Sequence, residues 1–365
     1  MKKSSLTYKD SGVNYDLLDN LKRMAQVAGA SLMLDTESGT DSRGESAGII
    51  RLGDDYILGL VQEGLGTKNL VADAMLGYNN RTFYDAIAQD TVAMIINDLI
   101  TVGAKPLSVG AYWAIGSDDW LLHAQRMQDL VDGWKNACEI SGAEWIGGET
   151  PILSGIINPQ TIDLAGTAIG VIEPKERLTL GKNLQPDDAI ILFESSGIHA
   201  NGLSLARKLA EQLPDGYKTK ISDGRTYGEA LLDPTIIYSK LIQDLFKNNI
   251  EIHYMANITG HGWRKLMRNK KEFTYRITKV PPVPPVLQFI QEQGELSDLE
   301  AYGNLNMGAG FAIFVPQHHV QEIIEISSQH NIKAYHAGNV EEEKKQVIIE
   351  PKNIVFGAES LQVRI

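Results

Sequence analysis

Cysteine is almost missing from this chain, because its 365 residues include a single one, Cys138. A lone cysteine excludes a disulfide within the chain and argues against a zinc site built from cysteine thiolates. In the segment WKNACEISG, Cys138 stands at helical spacing from Val131 and Trp134. Since free cysteine behaves as a small hydrophobic residue, we expect Cys138 to be packed inside the protein on a helix.

Long apolar runs are also missing. No stretch approaches the roughly 20 apolar residues that a membrane-spanning helix needs. The first residues, MKKSSLTYKD, have a basic start but no apolar segment after it. The sequence therefore predicts neither a membrane span nor a secretory signal, and the cytoplasm is the expected location.

Positive charge is in deficit. Lysine and arginine number 34 against 46 aspartate and glutamate residues, which gives a formal net charge of −12. An acidic surface repels phosphate backbones, so we expect no nucleic-acid partner. A local basic pocket could still hold a small anionic substrate.

The length of the chain predicts two domains, and its composition, 43% hydrophobic and 22% charged, is typical of a globular protein. Apolar spacing predicts helices over 15–28, 83–103, 119–141, 200–213 and 286–293, and strands over 56–61, 107–116, 161–173 and within 184–197. A further helix is expected to begin at Pro234, and WIGGETP (145–151) is expected to be a glycine turn. Strands alternate with helices in both halves, so we predict an α/β (α+β) fold with domains over 1–175 and 176–365.

A glycine-rich loop, EGLGTK, follows an apolar strand and ends in Lys68. Glycines and a lysine suit a phosphate-binding turn. The spacing fits neither a P-loop nor the dinucleotide-binding fingerprint, because the third glycine of G-x-G-x-x-G would fall on Asn69. The loop residues alone therefore leave open what the loop binds.

Acidic residues interrupt an apolar helical stripe in QDTVAMIINDLITVGAKPL (89–107). Asp90 and Asn97 share a helix face with Met94, and Asp98 lies about two turns beyond Asp90. Two carboxylates and an amide near a glycine loop could hold Mg²⁺ and a triphosphate, since hard cations prefer oxygen ligands. The alternative is a solvated helix face, because acidic pairs on helices are common.

Four further glycine turns carry polar side chains: GGET (147–150), ESSGIHANG (194–202), NITGHG (257–262) and NLNMGAG (304–310). ESSGIHANG connects a buried strand to a helix N-terminus, where free N–H groups suit an anion. Glycines also let a backbone approach phosphate closely, although GGET alone is equally well a plain turn. A Ser–His hydrolase is a weaker alternative for this stretch, since the nucleophile elbow G-x-S-x-G is absent.

The order of these segments is more specific than any one of them. The chain contains in succession YKDSGVNYD, EGLGTK, DTVAMIIND, GAKPL, GGET, SSGIHANG, LLDPTIIY, NITGHG and NMGAG. From about Tyr8 to Gly310 this resembles the phosphoribosylformylglycinamidine cyclo-ligase family (aminoimidazole ribonucleotide synthetases), as a divergent member. The resemblance implies a two-domain fold. In it, the N-terminal half forms a β-barrel across a homodimer, the C-terminal half is α/β, and ATP sits at the dimer interface.

The resemblance also implies ATP and Mg²⁺ as cofactors, a small ribonucleotide as substrate, and roles for particular residues. The implied cofactor-binding residues are Lys9, Asp10, Gly64, Gly66, Thr67, Lys68, Asp90, Asn97, Gly147, Gly148, Glu149 and Thr150. The implied metal ligands are Glu63, Asp90, Asp98 and Glu149. The implied substrate-binding residues are Ser195, Ser196, His199, Asn201, Asn257 and Thr259. Lys68, Asp98 and His199 are the implied catalytic residues.

The implied reaction is ATP-dependent closure of an imidazole ring in purine biosynthesis, through a phosphorylated amide. Departures from the family pattern fall mainly on the substrate side: Glu63 replaces an aspartate, Asn257 and His261 alter the family's HITGGG, and Gly303 replaces an arginine. The sequence therefore supports ATP binding better than it supports one substrate. Two alternatives remain, another ATP-dependent enzyme of the same superfamily and a non-catalytic nucleotide-binding paralogue. Selenophosphate synthetase is disfavoured, because Cys138 is in mid-chain and not in an N-terminal glycine loop.

Overall fold

The computed structural model describes residues 15–30, 42–53, 56–79 and 81–363. Lys9 and Asp10 lie outside the described residues. The helices are α1 Tyr15–Ala30, α2 Asn69–Asn79, α3 Tyr84–Ile100, α4 Ala124–Ser141, α5 Leu203–Ala210, α6 Tyr227–Leu231, α7 Ser239–Lys247, α8 Pro285–Gln293, α9 Asp298–Asn304 and α10 Val320–Gln329. The strands are β1 Gly48–Leu52, β2 Tyr56–Gly64, β3 Lys105–Ile115, β4 Glu144–Glu149, β5 Ile162–Ile172, β6 Ala189–Glu194, β7 Tyr254–Asn257, β8 Thr274–Ile277, β9 Ala309–Val315, β10 Ala334–Glu341, β11 Gln346–Ile349 and β12 Ile354–Gly357.

The first sheet has five strands in the order β1-β2-β5-β3-β4. Its pairs are antiparallel except for β3 with β4, which run parallel. Burial alternates along β5, as expected for a sheet with one covered face. The covering element is α3, which packs against β2, β5 and β3 and is buried at almost every position. This packing explains why the apolar residues of α3 extend around most of the helix.

The second sheet has seven strands in the order β12-β11-β8-β10-β6-β9-β7. Its central strands β6 and β9 carry continuous apolar runs, AIILF and AGFAIFV, and both are buried along nearly their whole length. Continuous apolar strands of this kind are covered on both faces. Two sheets with packed helices confirm the predicted α/β (α+β) class, and the division between residues 175 and 176 stays a prediction that falls between β5 and β6.

The two halves are joined by side chains of α3 and by the segment 232–238, which connects α6 to α7. Gln89, Asp90 and Asn97 bind backbone groups of this segment. Farther along, the Ser239 hydroxyl donates to the carbonyl of Ser141 at 2.8 Å. The junction of the halves is therefore built from polar groups that are already on the predicted site segments.

Two sequence predictions about local structure are wrong. WIGGETP is not a turn, because Trp145 to Glu149 belong to the edge strand β4. The helix expected from Pro234 begins only at Ser239, because 232–238 is held in a non-helical form by α3. The prediction for Cys138 is confirmed: it is buried on α4, where burial raises the pKa of its thiol to about 12. Among the described residues, no helix combines the length and apolarity needed to cross a bilayer.

Candidate functional site

Lys68 lies at the start of α2, directly after the glycine loop, and its side chain is completely buried. Its Nζ forms an ion pair with Asp90 Oδ2 at 2.8 Å and donates to the carbonyl of Asp233 at 2.8 Å. Asp90 Oδ1 accepts hydrogen bonds from the backbone N–H and the hydroxyl of Thr235. Burial raises the pKa of Asp90, while Lys68 and Thr235 oppose that rise. An ammonium has three donors, and those of Lys68 are directed at Asp90 and at the carbonyl of Asp233 inside the protein.

The next turns of α3 place Asn97 and Asp98 on two sides of the helix. Asn97 donates to the carbonyl of Ile236 at 2.8 Å and accepts from the backbone N–H of Tyr238 at 3.1 Å. Asp98 Oδ1 accepts from Asn257 Nδ2 at 2.7 Å, at the end of β7. Asn97 thus fixes the junction, and Asp98 keeps its second carboxylate oxygen for another partner.

The SSGIHANG turn follows β6 and contacts four other segments. Ser195 donates to Asn306 Oδ1 at 2.8 Å, and Ser196 donates to the carbonyl of Pro234 at 2.6 Å. Asn201 donates to the Met94 sulfur at 3.5 Å and accepts from the backbone N–H of Gly260 at 3.1 Å. The turn therefore joins α3, the segment 232–238, the NITGHG turn and the NLNMGAG turn at one place.

His199 is buried in this turn and has a left-handed backbone, with φ of 59°. Burial, together with the nearby Lys68 ammonium, lowers the pKa of His199 to about 3. Its Nε2 accepts from the backbone N–H of Ser196 at 3.2 Å, which places the ring proton on Nδ1. A Cβ on Gly310 would lie 2.5 Å from the His199 ring, so NMGAG needs glycine there. His199 is neutral at physiological pH and acts as a dipole, not as a cation.

Glu63 and Lys265 face the same space as Asp98. Glu63 is on the α3 side of β2, since it lies two residues after the buried Val61 and side chains two apart on a strand share a face. Burial and the Asp98 carboxylate raise the pKa of Glu63 to about 7. Burial lowers the pKa of the Lys265 ammonium to about 8, although Asp98 and Glu63 oppose this, and Lys265 donates to the hydroxyl of Thr259. Two carboxylates and a lysine thus lie beside the NITGHG turn.

The GGET segment lies elsewhere in the chain's own fold. Across the first sheet Glu63 pairs with Gly166, Gly166 with Ala111, and Ala111 with Gly148. Three strand spacings put Gly148 roughly 14 Å from Glu63. Glu149 is the next residue after Gly148 and points to the opposite face of the sheet. Within one chain the structure does not bring GGET to the Lys68 network.

The structure thus brings together most of the predicted residues, namely Glu63, Thr67, Lys68, Asp90, Asn97, Asp98, Ser195, Ser196, His199, Asn201, Asn257 and Thr259, around the junction of the halves. The sequence analysis missed Asp233, Thr235, Lys265 and Asn306 as contributors to the site. For Asp233 and Thr235 the signal was available in LLDPTIIY, since loop residues beside a proline often position backbone groups. Nothing in WRKLMR pointed to a buried lysine.

The donor set fits a metal that arrives together with phosphate. Among the described residues, no three His, Cys, Asp or Glu side chains are grouped so as to hold a metal ion. Mg²⁺ is usually held by one or two carboxylates plus substrate phosphate oxygens. Asp98 with Glu63 supplies such a pair. Gly66 has φ of 81°, and a Cβ added there would meet no atom within 4 Å, so the loop that precedes α2 leaves open space. The N-terminus of α2 is suited to phosphate.

Comparison with known proteins assigns both halves. Residues 44–172 match the AIR synthase related protein N-terminal domain, and residues 185–350 match the AIR synthase related protein C-terminal domain. A similar fold occurs in the HypE–HypF complex (18% identity, TM-score 0.61, 89% of this chain and 95% of that chain). AaThiL complexed with AMPPCP and TMP is also similar (14% identity, TM-score 0.60, 96% and 97%). At these identities the likeness concerns the fold alone.

Curated relatives are much closer in sequence. The phosphoribosylformylglycinamidine cyclo-ligase of Methanococcus maripaludis strain C7 is 37% identical over 338 residues, which cover 92% of this chain and 93% of the relative. The enzyme of the same name from Carboxydothermus hydrogenoformans is 36% identical over 352 residues, covering 94% and 98%. That of Methanocaldococcus jannaschii is 34% identical over 337 residues, covering 92% of each. The chain therefore belongs to the phosphoribosylformylglycinamidine cyclo-ligase (AIR synthase) family.

Proposed function

We propose that this protein catalyses the ATP-dependent cyclisation of formylglycinamidine ribonucleotide to aminoimidazole ribonucleotide. The observation that carries the proposal is the polar network at the junction of the halves. In it Lys68, Asp90 and Asp98 of the first half are bonded to Asp233, Thr235 and Asn257 of the second, respectively. The names of the relatives supply the reaction, and the network supplies a place for it.

The reaction has two steps whose atoms balance. The formyl amide oxygen attacks the γ-phosphorus of ATP, the bond to the β–γ bridging oxygen breaks, and ADP leaves. The amidine nitrogen that carries the ribose then attacks the activated formyl carbon, phosphate leaves with the former amide oxygen, and a proton is released. Phosphorylation turns a poor leaving group into a good one. The protein has to position the two groups and neutralise charge.

The residues of the site divide these tasks. The polyphosphate would be held by the open loop at Gly64 and Gly66, by Thr67, and by the positive dipole end at the start of α2. Asp98 and Glu63 would hold Mg²⁺, which neutralises charge on the transferred phosphoryl group. Asn201, Asn257 and Thr259 present amide and hydroxyl groups on the second-half side, where the ribonucleotide would lie. The substrate would also contact Ser195, Ser196 and the neutral ring of His199. Lys68 and Asp98 would act in catalysis.

A second copy of the chain would bring in the GGET residues. Glu149 points to the outer face of the first sheet, the face that carries the exposed Ile50 and Leu60. This face also presents Leu58, Ile169 and Val171, as the strand register shows. Pairing of two such faces would bury the apolar side chains and place one chain's Gly147, Gly148, Glu149 and Thr150 beside another chain. We therefore propose a homodimer whose nucleotide site uses both chains.

The proposed function is tested with purified protein, Mg²⁺-ATP and formylglycinamidine ribonucleotide, by following ADP release and the aminoimidazole product. We expect product formation at one ADP per product. Asp98→Asn keeps the shape and the acceptor for Asn257 but removes the charge, and it should lower kcat by about 100-fold or more. Asp132→Asn on α4, whose carboxylate accepts from Gln128 on the surface, is the matched control and should leave kcat unchanged.

Other outcomes would contradict the proposal in different ways. ADP release that depends on a different amide or acid, without aminoimidazole product, would favour another ATP-dependent enzyme of the superfamily. ATP binding with no turnover on any such substrate would favour a non-catalytic paralogue. Equal rates for Asp98→Asn and Asp132→Asn would remove Asp98 from the site.

A further inference from the structure

A large cavity lies at the other end of strand β6 from the candidate site. It has a volume of about 1110 Å³ and is lined by the connector between the two sheets (174–178 and 180–183), by residues 249–253, and by Arg51, Phe246, Lys270 and Lys271. We call it the connector cavity. His253 in its wall binds Asp188, which precedes β6, whereas Ser195 follows β6. Strand β6 has six residues, so its length separates the connector cavity from the candidate site by roughly 20 Å.

The charge of the connector cavity is opposite to that of the whole chain. Its lining includes six basic side chains, Arg51, Lys175, Arg177, Lys182, Lys270 and Lys271, against two acidic ones, Glu176 and Glu251. The chain as a whole has a net charge of −12. Glu251 already lies 3.1 Å from the imidazole of His253. Within the described part of the chain, none of the four lysines of the lining nor Arg177 forms an ion pair with a carboxylate. These five cations in one cavity favour an anionic ligand.

The walls of the connector cavity are fixed by internal contacts. Lys271 Nζ donates to the carbonyl of Lys182 at 2.8 Å and to that of Leu184 at 2.6 Å. Thr179 donates to the carbonyl of Thr101 at 2.8 Å, which anchors the connector to the end of α3. A Cβ on Gly181 would lie 1.9 Å from the side-chain amide of Asn269, so the backbone at Gly181 packs directly against Asn269. The cavity is thus formed before any ligand arrives, as small-molecule sites usually are.

The lining also has an apolar part. Leu178 and Leu180 are partly buried, and Ile250 and Ile252 are buried beside them. The Arg177 guanidinium lies 5.3 Å from the centre of the Phe246 ring. A simple inorganic anion would leave these surfaces in contact with water. A ligand with phosphate groups and a flat apolar body would cover them and gain apolar contact as well as charge pairing.

From this combination we propose that the connector cavity is a second binding site, for a phosphorylated small molecule of the nucleotide class, separate from the candidate catalytic site. Its phosphates lie among Lys175, Lys182 and Lys270, and its flat body lies against Leu178 and Leu180. Because these three lysines are exposed and unpaired, phosphate can reach them without breaking an existing ion pair. The site does not depend on which substrate the enzyme cyclises.

Lysine acetylation followed by mass spectrometry tests the proposal residue by residue, with ADP and inorganic tripolyphosphate as probes. At saturating ADP we expect acetylation of Lys175, Lys182 and Lys270 to slow by about fivefold or more, since occupied lysines are shielded by mass action. Two exposed lysines that are paired elsewhere, Lys135 and Lys208, are the internal controls, and their acetylation should not change. ADP bound only at the candidate site lies too far away to protect the connector cavity.

Variants give a second measurement by calorimetry. Lys175→Ala/Lys182→Ala should lose one ADP-binding event, or weaken it by about tenfold or more, while Lys135→Ala/Lys208→Ala retains it. Both double variants remove two exposed lysines, so a general charge effect would be equal in the two. Equal protection by tripolyphosphate and ADP would overturn the apolar part of the assignment. Absence of selective protection at ADP up to about 5 mM would overturn the site itself.

Discussion

Buried charges at the site are held by partners from the opposite half of the chain. Lys68 pairs with Asp90 within the first half, but the carbonyl of Asp233 and the N–H and hydroxyl of Thr235 satisfy the pair from the second. Removing one member of such a pair leaves an uncompensated charge, which typically costs about 3–5 kcal/mol. Loss of Lys68 would therefore change folding as well as ligand binding. For this reason the isosteric change at Asp98 is the better test of chemistry.

Glu63 gives a prediction about the pH dependence of stability. Its pKa is raised from 4.5 to about 7 in the folded protein, first by burial and then by Asp98. Between these two values the folded state holds a proton that the unfolded state has lost, so stability falls as the pH rises through this window. Glu63→Gln removes the titration. We expect it to be more stabilising at pH 8 than at pH 5, by about 2 kcal/mol at most, because the Lys265 ammonium favours the charged form of Glu63 and offsets part of the effect.

Urea unfolding at the two pH values, in the absence of nucleotide, measures this difference. Glu149→Gln is the matched control, because the side chain of Glu149 is exposed on the edge strand and its replacement should give the same change in stability at both pH values. If Glu63→Gln were equally stabilising at pH 5 and pH 8, the carboxylates of Glu63 and Asp98 would not share one buried space.

At the scale of elements, the glycines of GGET have a structural use that the sequence did not show. Gly148 pairs with Ala111 where β4 joins β3, and a Cβ there would lie 2.0 Å from the carbonyl oxygen of Ala111. Gly148→Ala must therefore push β4 away from β3. We expect a loss of roughly 1–3 kcal/mol in the free energy of unfolding. Thermal unfolding followed by circular dichroism would detect it.

A glycine of the same sheet provides the control. A Cβ on Gly110 would meet its nearest atom, the carbonyl oxygen of Thr167, at 4.0 Å. Gly110→Ala should therefore change stability by no more than about 0.5 kcal/mol. Similar losses for the two variants would show that close approach of β4 to β3 is not the reason for glycine at position 148.

How much the sequence predicts depends on how local the cause is. The long helix α3 and the strands β2, β3 and β5 follow from apolar spacing, and so does the position of Cys138. β4 was missed because two glycines and a short apolar stretch look like a turn unless the neighbouring strand is known. The non-helical segment 232–238 was missed for the same reason: side chains of α3, more than 130 positions away, hold its backbone. Motif order indicated which residues would converge, but their buried pairing depends on contacts between distant segments.

At the scale of the whole molecule, the first sheet has one face covered by α3 and one face with exposed apolar side chains. Ile50 and Leu60 are each 40% exposed on this outer face. Contiguous exposed apolar residues on a sheet mark a surface that another protein covers. Glu149 shares the face, which links the proposed dimer to the proposed nucleotide site.

Leu60→Asp tests this link directly. A carboxylate in the middle of the outer face would be buried without a partner in the dimer, so the dimer should dissociate at least about tenfold more readily. Leu122→Asp is the matched control, since Leu122 is 80% exposed on the short helical turn before α4 and lies off the sheet. Sedimentation equilibrium measures the mass of each variant, and titration with ATP measures binding. If the GGET residues act on a neighbouring chain, Leu60→Asp must weaken ATP binding together with dimerisation, while Leu122→Asp changes neither. A monomeric Leu60→Asp protein that binds ATP as well as the unmodified chain would instead confine the nucleotide to the Lys68 side of one chain.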